Sequence, residues 1–507
     1  MDGPIDRRAF LAGAGAAGLS LAYGAGAERV ARAAGLSLAP GTGAGRVARA
    51  AGKASGPPIR GQVIRRGASG FLQAAHVYNE RFDGVLPNLV ARPLDAADVR
   101  TAVSWGVAHS VPLRARSGGH SYAGYSTLKG GMVLDLRNLR GISVNTHKRT
   151  ATIGAGSQLI DVYAALAAHG LTIPAGSCPS VGIAGHAIGG GMGLAGRQFG
   201  LTADNLLSAQ IVTADGRLRT ASATSNPDLY WALRGGGGGN FGVVTSFTFR
   251  VHPVPRTVAG FTVTWPWSQA AEALASWQAW GPHAPAAVTS IFHLTASGGQ
   301  NVVNVSGQYF GPASDLGRLL APLRAVGGAG VSAGNFGYLQ AQQMWAGCSR
   351  ISLTACHTQG TRPGGTLQRD NFQAKSDYVA KPLPTAARQA LVRAAEARLN
   401  SSGHGAILFD CYGGAINRVK PAATAFVHRN VLFCIQYLSY NGDAAWLTST
   451  AAQMRPYVTG GAYFNYTDPG LKGWQTAYFG SNYPRLLKIR RDVDPHHYFN
   501  FPQAIGR

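Results

Sequence analysis

Acidic residues are scarce in this sequence of 507 residues. Asp and Glu number 22 against 46 Lys and Arg, so the formal net charge at pH 7 is +24. Such a balance can indicate a nucleic-acid partner, an anionic surface or acidic substrates. The sequence has no run of Lys and Arg with interleaved aromatic residues, however, and no familiar nucleic-acid-binding motif. Because the basic residues are spread along the chain, we interpret them as a solvated surface and expect no nucleic-acid partner.

Cysteine is also rare, with five residues and no pair at CxxC spacing. This absence argues against a zinc site, and we expect no metal. The odd number leaves at least one thiol outside any disulfide. Cys348 and Cys356 are close in sequence and could pair in an oxidising compartment, but the sequence leaves that pairing open.

The first residues indicate an export signal rather than part of the fold. Arg7 and Arg8 are followed by Phe10 and Leu11 and by a short stretch rich in Gly and Ala, which resembles a twin-arginine signal. The stretch is too short for a convincing membrane span. We assign residues 1–34 to the signal and residues 35–60, which have low complexity, to a spacer. We therefore expect the export machinery to be a partner and the protein to be secreted or periplasmic.

The rest of the sequence divides into three parts by its pattern. Hydrophobic residues make up 46% of the chain, enough for a large core. Residues 61–254 alternate short apolar strands with helical stretches and Gly-rich loops. Residues 255–456 alternate strand-like runs with helices, which suits an antiparallel sheet with helices on one face. Residues 457–507 are rich in Tyr and Asn and form a closing segment. Together these patterns predict a two-domain α+β protein.

Two Gly-rich loops carry side chains capable of chemistry. The first, Arg116-Ser117-Gly118-Gly119-His120-Ser121, follows a predicted strand, and its paired glycines let backbone N–H groups approach an anion such as pyrophosphate. The second runs from Gly176-Ser177-Cys178 to Gly193. So much Gly predicts a long loop, without regular helix or strand, wrapped on a flat or anionic ligand. A third cluster, Gly235–Gly239, leads into a predicted strand at Val243.

Neither His120 nor Cys178 identifies a function alone. A His in a Gly-rich loop is more often a surface or packing residue, and a single Cys is often a small buried hydrophobic residue. Cys178 could also be the nucleophile of a hydrolase, with His186 or His120 as its base. Nothing else in the sequence assembles a catalytic triad, so the hydrolase is the more distant alternative.

In this order, the three Gly-rich motifs resemble those of the berberine-bridge-enzyme-like group of flavoproteins, which have the vanillyl-alcohol-oxidase or PCMH-type FAD-binding fold. The resemblance extends from about Phe82 to the C-terminus, where residues 462–468 and 494–500 resemble the C-terminal signature of the group. It implies an FAD-binding domain, a substrate domain with an antiparallel sheet, and a C-terminal segment that returns to the FAD-binding domain.

The resemblance also implies how the cofactor is held. His120 would bond to the flavin 8α carbon and Cys178 to flavin C6, so that FAD is attached at two points. Val181 matches a position that gates oxygen access, and its residue type resembles that of the oxidases. The other cofactor-binding residues that we predict are Arg116, Ser117, Gly118, Gly119, Ser121, Gly176, Ser177, Gly182, Gly185, His186, Gly242, Val243 and Asn465.

Two further matches concern catalysis. Tyr463 matches the catalytic base of the group, and Gln436 matches a polar position over the flavin that aids deprotonation of the substrate. A Tyr with a pKa near ~10 is a poor base at neutral pH unless a nearby group favours its phenolate. Many plant relatives have Lys where this sequence has Cys434, so that cation is absent here. Strand alternation puts Cys434 on the same face as Gln436, and we expect Cys434 to line the pocket.

These matches predict an FAD-dependent oxidase that takes two electrons from a hydroxyl-bearing substrate and reduces molecular oxygen to hydrogen peroxide. The substrate would be a carbohydrate oxidised at its hemiacetal carbon, or a glycosylated or aromatic secondary metabolite. One alternative is oxidative C–C ring closure, which also occurs in the group. Another is an exported carbohydrate-binding protein that has lost turnover, against which the intact Tyr463 and Gln436 argue.

Overall fold

The computed structural model describes residues 56–401 and 403–507. The export signal that we assign to residues 1–34, and most of the spacer, lie outside these residues. In the part of the chain that is described, no helix combines the length and the apolar character needed to cross a bilayer.

Two sheets form the framework of the N-terminal domain. In the four-stranded sheet, the first strand is antiparallel to its neighbour and the other three strands are parallel; the order is Gln62–Arg65, Leu89–Arg92, Met132–Asp135, Leu113–Arg116. The five-stranded sheet is antiparallel, in the order Ile142–Asn145, Thr150–Gly154, Val243–Arg250, Leu206–Val212, Leu218–Ser222. A short ladder joins Leu171–Thr172 to His252–Pro253.

Helices of this domain cover the two sheets. The longest, Ala96–Ala108, begins after Asp95, whose carboxylate caps it by accepting hydrogen bonds from the backbone N–H groups of Ala97 and Asp98. The others are Phe71–Ala75, Leu159–Ala167, Ile183–Ile188, Gly196–Phe199 and Pro227–Ala232.

The second Gly-rich segment contains a helix, so the prediction of a long loop without regular structure was wrong. Residues Ile183–Ile188 form a short helix in spite of the neighbouring glycines. Ile183, Ala184, Ala187 and Ile188 recur at helical spacing and are all buried. Burial of this apolar face therefore outweighs the cost of Gly185 within the helix.

The second domain contains a seven-stranded antiparallel sheet, as predicted. Its order is Gly330–Gly337, Thr257–Trp265, Gln300–Tyr309, Val288–Ser297, His404–Cys411, Phe433–Tyr440, Phe372–Val379. The helices Ala270–Trp280, Thr385–Asn400 and Ala444–Met454 pack on one face of this sheet, where Trp277, Phe292 and Phe409 form part of a buried core. The remaining helices are Leu316–Leu319, Ala321–Arg324, Tyr338–Trp345 and Ala415–Arg418. This arrangement confirms the α+β fold with helices on one face of the sheet.

The closing segment packs on the N-terminal domain. Its helices are Trp474–Phe479 and Tyr483–Val493. Leu486 and Phe499 are buried in the core of that domain. The backbone N–H of Ile505 donates to Asn240 Oδ1 at 2.9 Å, which ties the end of the chain to the third Gly-rich segment.

A disulfide joins Cys348 to Cys356 and thereby settles the pairing that the sequence leaves open. Both residues are fully buried. Cys178, Cys411 and Cys434 are outside any disulfide.

Candidate active site

Two loops of the first domain cross at close range, and their glycines make the crossing possible. We call residues 116–121 the His120 loop and residues 176–182 the Cys178 loop. A Cβ atom on Gly118 would overlap the backbone N of Gly182, and a Cβ atom on Gly182 would overlap the backbone N of Gly118. Only glycine permits this approach, which brings His120 and Cys178 to one cavity.

The cavity lies between the Gly-rich loops of the first domain and the open face of the seven-stranded sheet. It gathers most of the predicted site residues, although they come from five separate stretches of sequence. Those that line it are Ser117, Gly118, Gly119, His120, Ser121, Gly176, Ser177, Cys178, Val181, Gly182, Gly185, His186, Gly242, Gln436, Tyr463 and Asn465.

Three predicted residues do not line this cavity. Arg116 is buried, forms an ion pair with Asp135 at 3.1 Å and donates to the carbonyl of Ala75, so its role is structural. Val243 is fully buried, and its neighbour Val244 reaches the cavity instead because side chains alternate along a strand. Cys434 is on the expected face but is fully buried in a cluster with Tyr378 and Tyr463.

The floor of the cavity suits a large planar cofactor with a phosphate group. At Gly185 an added Cβ would meet no atom within 4 Å, and at Gly238 the nearest atom would be 3.9 Å away. Both residues line the cavity, so bare backbone faces it. Such a surface lets a flat ring or a pyrophosphate lie directly against the peptide groups. In the described residues no group of three or more His, Cys, Asp or Glu is placed to hold a metal ion.

A buried carboxylate and a tyrosine form a hydrogen-bonded pair at one end of the cavity. Tyr466 Oη donates to Asp410 Oδ2 at 2.8 Å, and both residues line the cavity. Asp410 lies on the strand His404–Cys411 and is 4% exposed. Burial raises the pKa of Asp410 to about 6, and the hydrogen bond from Tyr466 opposes that rise. At neutral pH Asp410 is therefore ionised and can take up a proton.

The oxygen of Tyr463 is held in a different way. It accepts hydrogen bonds from the backbone N–H groups of Gly191 and Met192 and from Asn465 Nδ2, each at 3.0 Å. Burial raises the pKa of Tyr463, whereas these three donors lower it. They are the groups that favour the phenolate in the absence of a Lys at Cys434. Three donors also fill the lone pairs of a phenolate oxygen, which leaves it little capacity to accept a proton from a substrate.

Gln436, which lines the cavity, is hydrogen-bonded to a third tyrosine. Its Nε2 donates to Tyr122 Oη at 2.8 Å, so the hydroxyl hydrogen of Tyr122 can point elsewhere. The ring of Tyr122 stacks on that of Tyr466, with centroids 5.5 Å apart. Gln436 therefore positions a tyrosine beside the Asp410–Tyr466 pair.

The sheet side of the cavity is largely apolar and aromatic. Phe372, Leu408, Leu438 and Tyr440 line it together with Ile291. They come from four neighbouring strands of the sheet and project from the face that carries no helices. Aromatic and aliphatic walls of this kind suit the apolar face of a sugar or an aromatic ring.

Sequence reasoning missed Asp410, Tyr466 and Tyr122 as site residues. Each had a weak local signal: Asp410 directly follows the apolar run Ala406–Phe409, Tyr466 follows Tyr463 by three residues, and Tyr122 follows His120 by two. A carboxylate within an otherwise buried strand is uncommon and needs a partner. That partner, Tyr466, is 56 residues away in sequence.

The hydrolase alternative has poor support in this geometry. Burial raises the pKa of the Cys178 thiol to about 11, with a further contribution from Asp370 and Asp410. A hydrolase needs a lowered thiol pKa. His186 cannot readily act as its base either, because its Nε2 accepts a hydrogen bond from the backbone N–H of Gly176 at 3.0 Å.

Comparison with known families agrees with these features. The profile of the FAD binding domain family matches residues 87–222, and that of the family described as berberine and berberine like matches residues 462–506. An uncharacterized FAD-linked oxidoreductase of Bacillus subtilis is 32% identical over 462 residues, which cover 88% of this chain and 97% of that protein.

Solved structures give the same result. BBE-like 1 of Physcomitrella patens superposes with a TM-score of 0.81 and is 35% identical, covering 88% of this chain and 97% of its own. A chitooligosaccharide oxidase superposes with a TM-score of 0.79 and is 28% identical, with the same coverage of both chains. The overall fold of this chain is thus shared with these proteins.

Proposed function

Since this chain belongs to the berberine-bridge-enzyme-like family of FAD-linked oxidoreductases, we propose that it is an exported oxidase that carries FAD on His120 and Cys178 and oxidises a hydroxyl group of a carbohydrate. The observation that carries this proposal is the convergence of both attachment residues and the Asp410–Tyr466 pair on one cavity. A glycosylated or aromatic metabolite with a similar hydroxyl group is the other substrate class that the aromatic wall suits.

Bound FAD would supply the two-electron acceptor, since it takes a hydride from the carbon that bears the hydroxyl and passes the electrons to oxygen. His120 and Cys178 would hold the ring, and the backbone at Gly185 and Gly238 would lie against it. Val181, which also lines the cavity, would leave oxygen access to the ring.

The chain itself must remove the hydroxyl proton. Tyr466 is the better placed base, because its own proton can pass to Asp410 as it takes the proton of the substrate. Tyr463, which matches the base of the family, is held by three donors and would instead fix the position of Asn465 and the loop Gly191–Met192. The Tyr122 hydroxyl, oriented by Gln436, can donate to the substrate oxygen.

The substrate class rests on the sheet wall and on a structural neighbour. Phe372, Tyr440, Leu408 and Leu438 offer stacking surface near the proposed base. The neighbour with a TM-score of 0.79 is a chitooligosaccharide oxidase. Both features favour a sugar that is oxidised at its hemiacetal carbon.

The attachment is tested by denaturing the purified protein with SDS and separating it from free flavin. Yellow colour that remains with the wild-type chain and with each of the variants His120→Ala and Cys178→Ala is the expected result. A double variant that releases all its flavin is the matched control. Release of the flavin from the wild-type chain would refute covalent attachment.

Activity and export need separate tests. A panel of oligosaccharides and aromatic glycosides, screened with a peroxidase-coupled dye, should identify substrates by peroxide release. If no sugar is oxidised and an aromatic metabolite is, the carbohydrate assignment fails. Replacing Arg7 and Arg8 with Lys should retain the protein in the cytoplasm if residues 1–34 are a twin-arginine signal.

A further inference from the structure

The ring of His120 is contacted on two sides by neighbouring side chains. The Tyr78 ring stacks on it, with centroids 3.9 Å apart and planes at 20°. Its Nε2 lies 2.8 Å from Ser180 Oγ, at hydrogen-bond distance. One face of the imidazole is therefore covered by Tyr78, and its Nε2 is in contact with Ser180. The nitrogen considered below for flavin attachment is Nδ1.

Ser180 is itself held by a second hydroxyl. Thr358 Oγ1 donates to Ser180 Oγ at 2.8 Å. Ser180 and Thr358 are each 2% exposed, so water does not compete for these hydrogen bonds. Ser180 Oγ uses one lone pair to accept this hydrogen bond and keeps a second, which can accept the Nε2–H of His120 when the imidazole hydrogen is on that nitrogen.

The segment that carries Thr358 is anchored at several points. It follows directly after Cys356, which is joined by the disulfide to Cys348. His357 Nε2 lies 2.9 Å from Asp161 Oδ1, and Arg362 donates to Asp161 Oδ2 at 3.0 Å. Asp161 belongs to the helix Leu159–Ala167 of the first domain. A rigid loop of the second domain thus reaches across to the residue that would carry the flavin.

We propose that Ser180 and Thr358 are positioning residues for the attachment of FAD to His120: their hydroxyl chain holds the imidazole with its hydrogen on Nε2, so that the Nδ1 lone pair faces the 8α carbon of the flavin. The proposal rests on the proposed function, in that it presumes attachment at His120. It assigns a role to a segment, 348–358, whose sequence gave no functional signal.

The attachment step has a defined balance. A bond forms between His120 Nδ1 and the 8α carbon, and one C–H bond of the 8α methyl group breaks. The imidazole loses its hydrogen from Nε2 as a proton, and Nε2 keeps the lone pair. The two electrons and two protons that are released reduce oxygen, the oxidant of the proposed oxidase, to hydrogen peroxide.

Tautomer control matters because a neutral imidazole is nucleophilic only at the nitrogen without hydrogen. Burial lowers the pKa of His120 to about 3, which keeps the ring neutral at working pH. In the absence of the Ser180 contact the hydrogen would be free to occupy either nitrogen and the ring free to turn. Small misplacements of a reacting atom are known to slow reactions strongly.

The test uses a Cys178→Ala background, in which His120 alone can hold the flavin. The measured quantity is the share of bound flavin that stays on the full-length chain after denaturation, so only folded, flavin-binding chains are counted. We expect nearly complete attachment in Cys178→Ala and attachment at about a tenth of that level or less after Ser180→Ala is added. Ser180→Thr, which keeps the hydroxyl, should restore attachment. The double variant His120→Ala/Cys178→Ala sets the zero point.

Equal attachment with Ser180 and with Ala at this position would overturn the proposal. If the Ser180→Ala chain binds no flavin, Thr358→Val decides in its place, since it removes only a hydroxyl; unchanged attachment there would also overturn it. NMR of the isolated flavin peptide should find the link on Nδ1, and a link on Nε2 contradicts the tautomer. A Cys178→Ala chain that binds flavin but attaches none would instead refute attachment at His120 itself.

Discussion

Replacing Asp410 with Asn should slow turnover strongly and should not destabilise the fold. The substitution keeps the shape of the side chain and removes the carboxylate that accepts the proton of Tyr466. Loss of a general base or of its proton acceptor typically costs 10²–10⁴-fold in rate, roughly. Tyr466 can still donate to the amide oxygen of Asn, so the hydrogen bond itself survives.

The effect on stability follows from the burial of the charge. Asp410 has its pKa raised from 3.8 to about 6, and two units correspond to about 3 kcal/mol by which the folded state disfavours the ionised carboxylate. This cost is absent below pH 4, grows as the pH rises from 4 to 6 and is constant above that range. The Asn variant escapes it and should be up to about 3 kcal/mol more stable at pH 7.5, but no more stable at pH 4.

Two measurements test this reasoning on the flavin-loaded protein. Peroxide release gives the rate, and urea unfolding at pH 4 and pH 7.5 gives the stability of both proteins. Turnover within about threefold of wild type would exclude Asp410 from proton transfer. A variant that is less stable than wild type at pH 7.5 would show that the carboxylate is retained for structure rather than for chemistry.

Three further predictions follow from the same contacts. Val181→Leu should slow the reaction of the reduced protein with oxygen in stopped-flow experiments and leave its reduction by substrate unchanged; equal oxygen rates would remove Val181 as a gate. Tyr466→Phe should lower turnover more than Tyr463→Phe does. Tyr463→Phe should lower the urea midpoint more, because it leaves three buried N–H donors unpaired at about 1 kcal/mol or more each. If Tyr463→Phe instead has the larger effect on turnover, Tyr463 is the base. Replacing Cys348 and Cys356 with Ala should cost about 2.5 kcal/mol, the chain-entropy value for a loop this short, and an unchanged urea midpoint would contradict it.

The side of the cavity that the Gly-rich loops form could be predicted from sequence because it is encoded locally. His120 and Cys178 each sit within a few residues of the glycines that let their loops cross at Gly118 and Gly182. One short motif therefore contains both the reactive side chain and the glycines that allow its loop to approach the other loop. The exception, Arg116, belongs to the same motif but turns away to Asp135, because side chains alternate along the strand that precedes the loop.

The substrate side could not be predicted in the same way, because it depends on pairing between distant strands. Asp410 and Gln436 lie on adjacent strands, with Leu408 opposite Gln436 in the register. Tyr466 arrives from the closing segment and Tyr122 from the first domain. These four residues are far apart in sequence, so no local motif indicates that they line the same cavity. Strand alternation also does not predict burial. Cys434 is on the expected face of its strand, but it is packed in a buried cluster with tyrosine side chains and does not line the cavity.

This division has a consequence for specificity. The loops that would hold the cofactor present backbone and two reactive side chains, whereas the sheet presents Phe372, Leu408, Leu438 and Tyr440 from neighbouring strands. Side chains on the open face of a sheet can change without altering the hydrogen bonds that form the strands. Substrate preference can therefore vary among proteins that keep the same loops. In the proposed enzyme the loops would determine the type of reaction, and the side chains on the four strands that face them would determine which substrate binds.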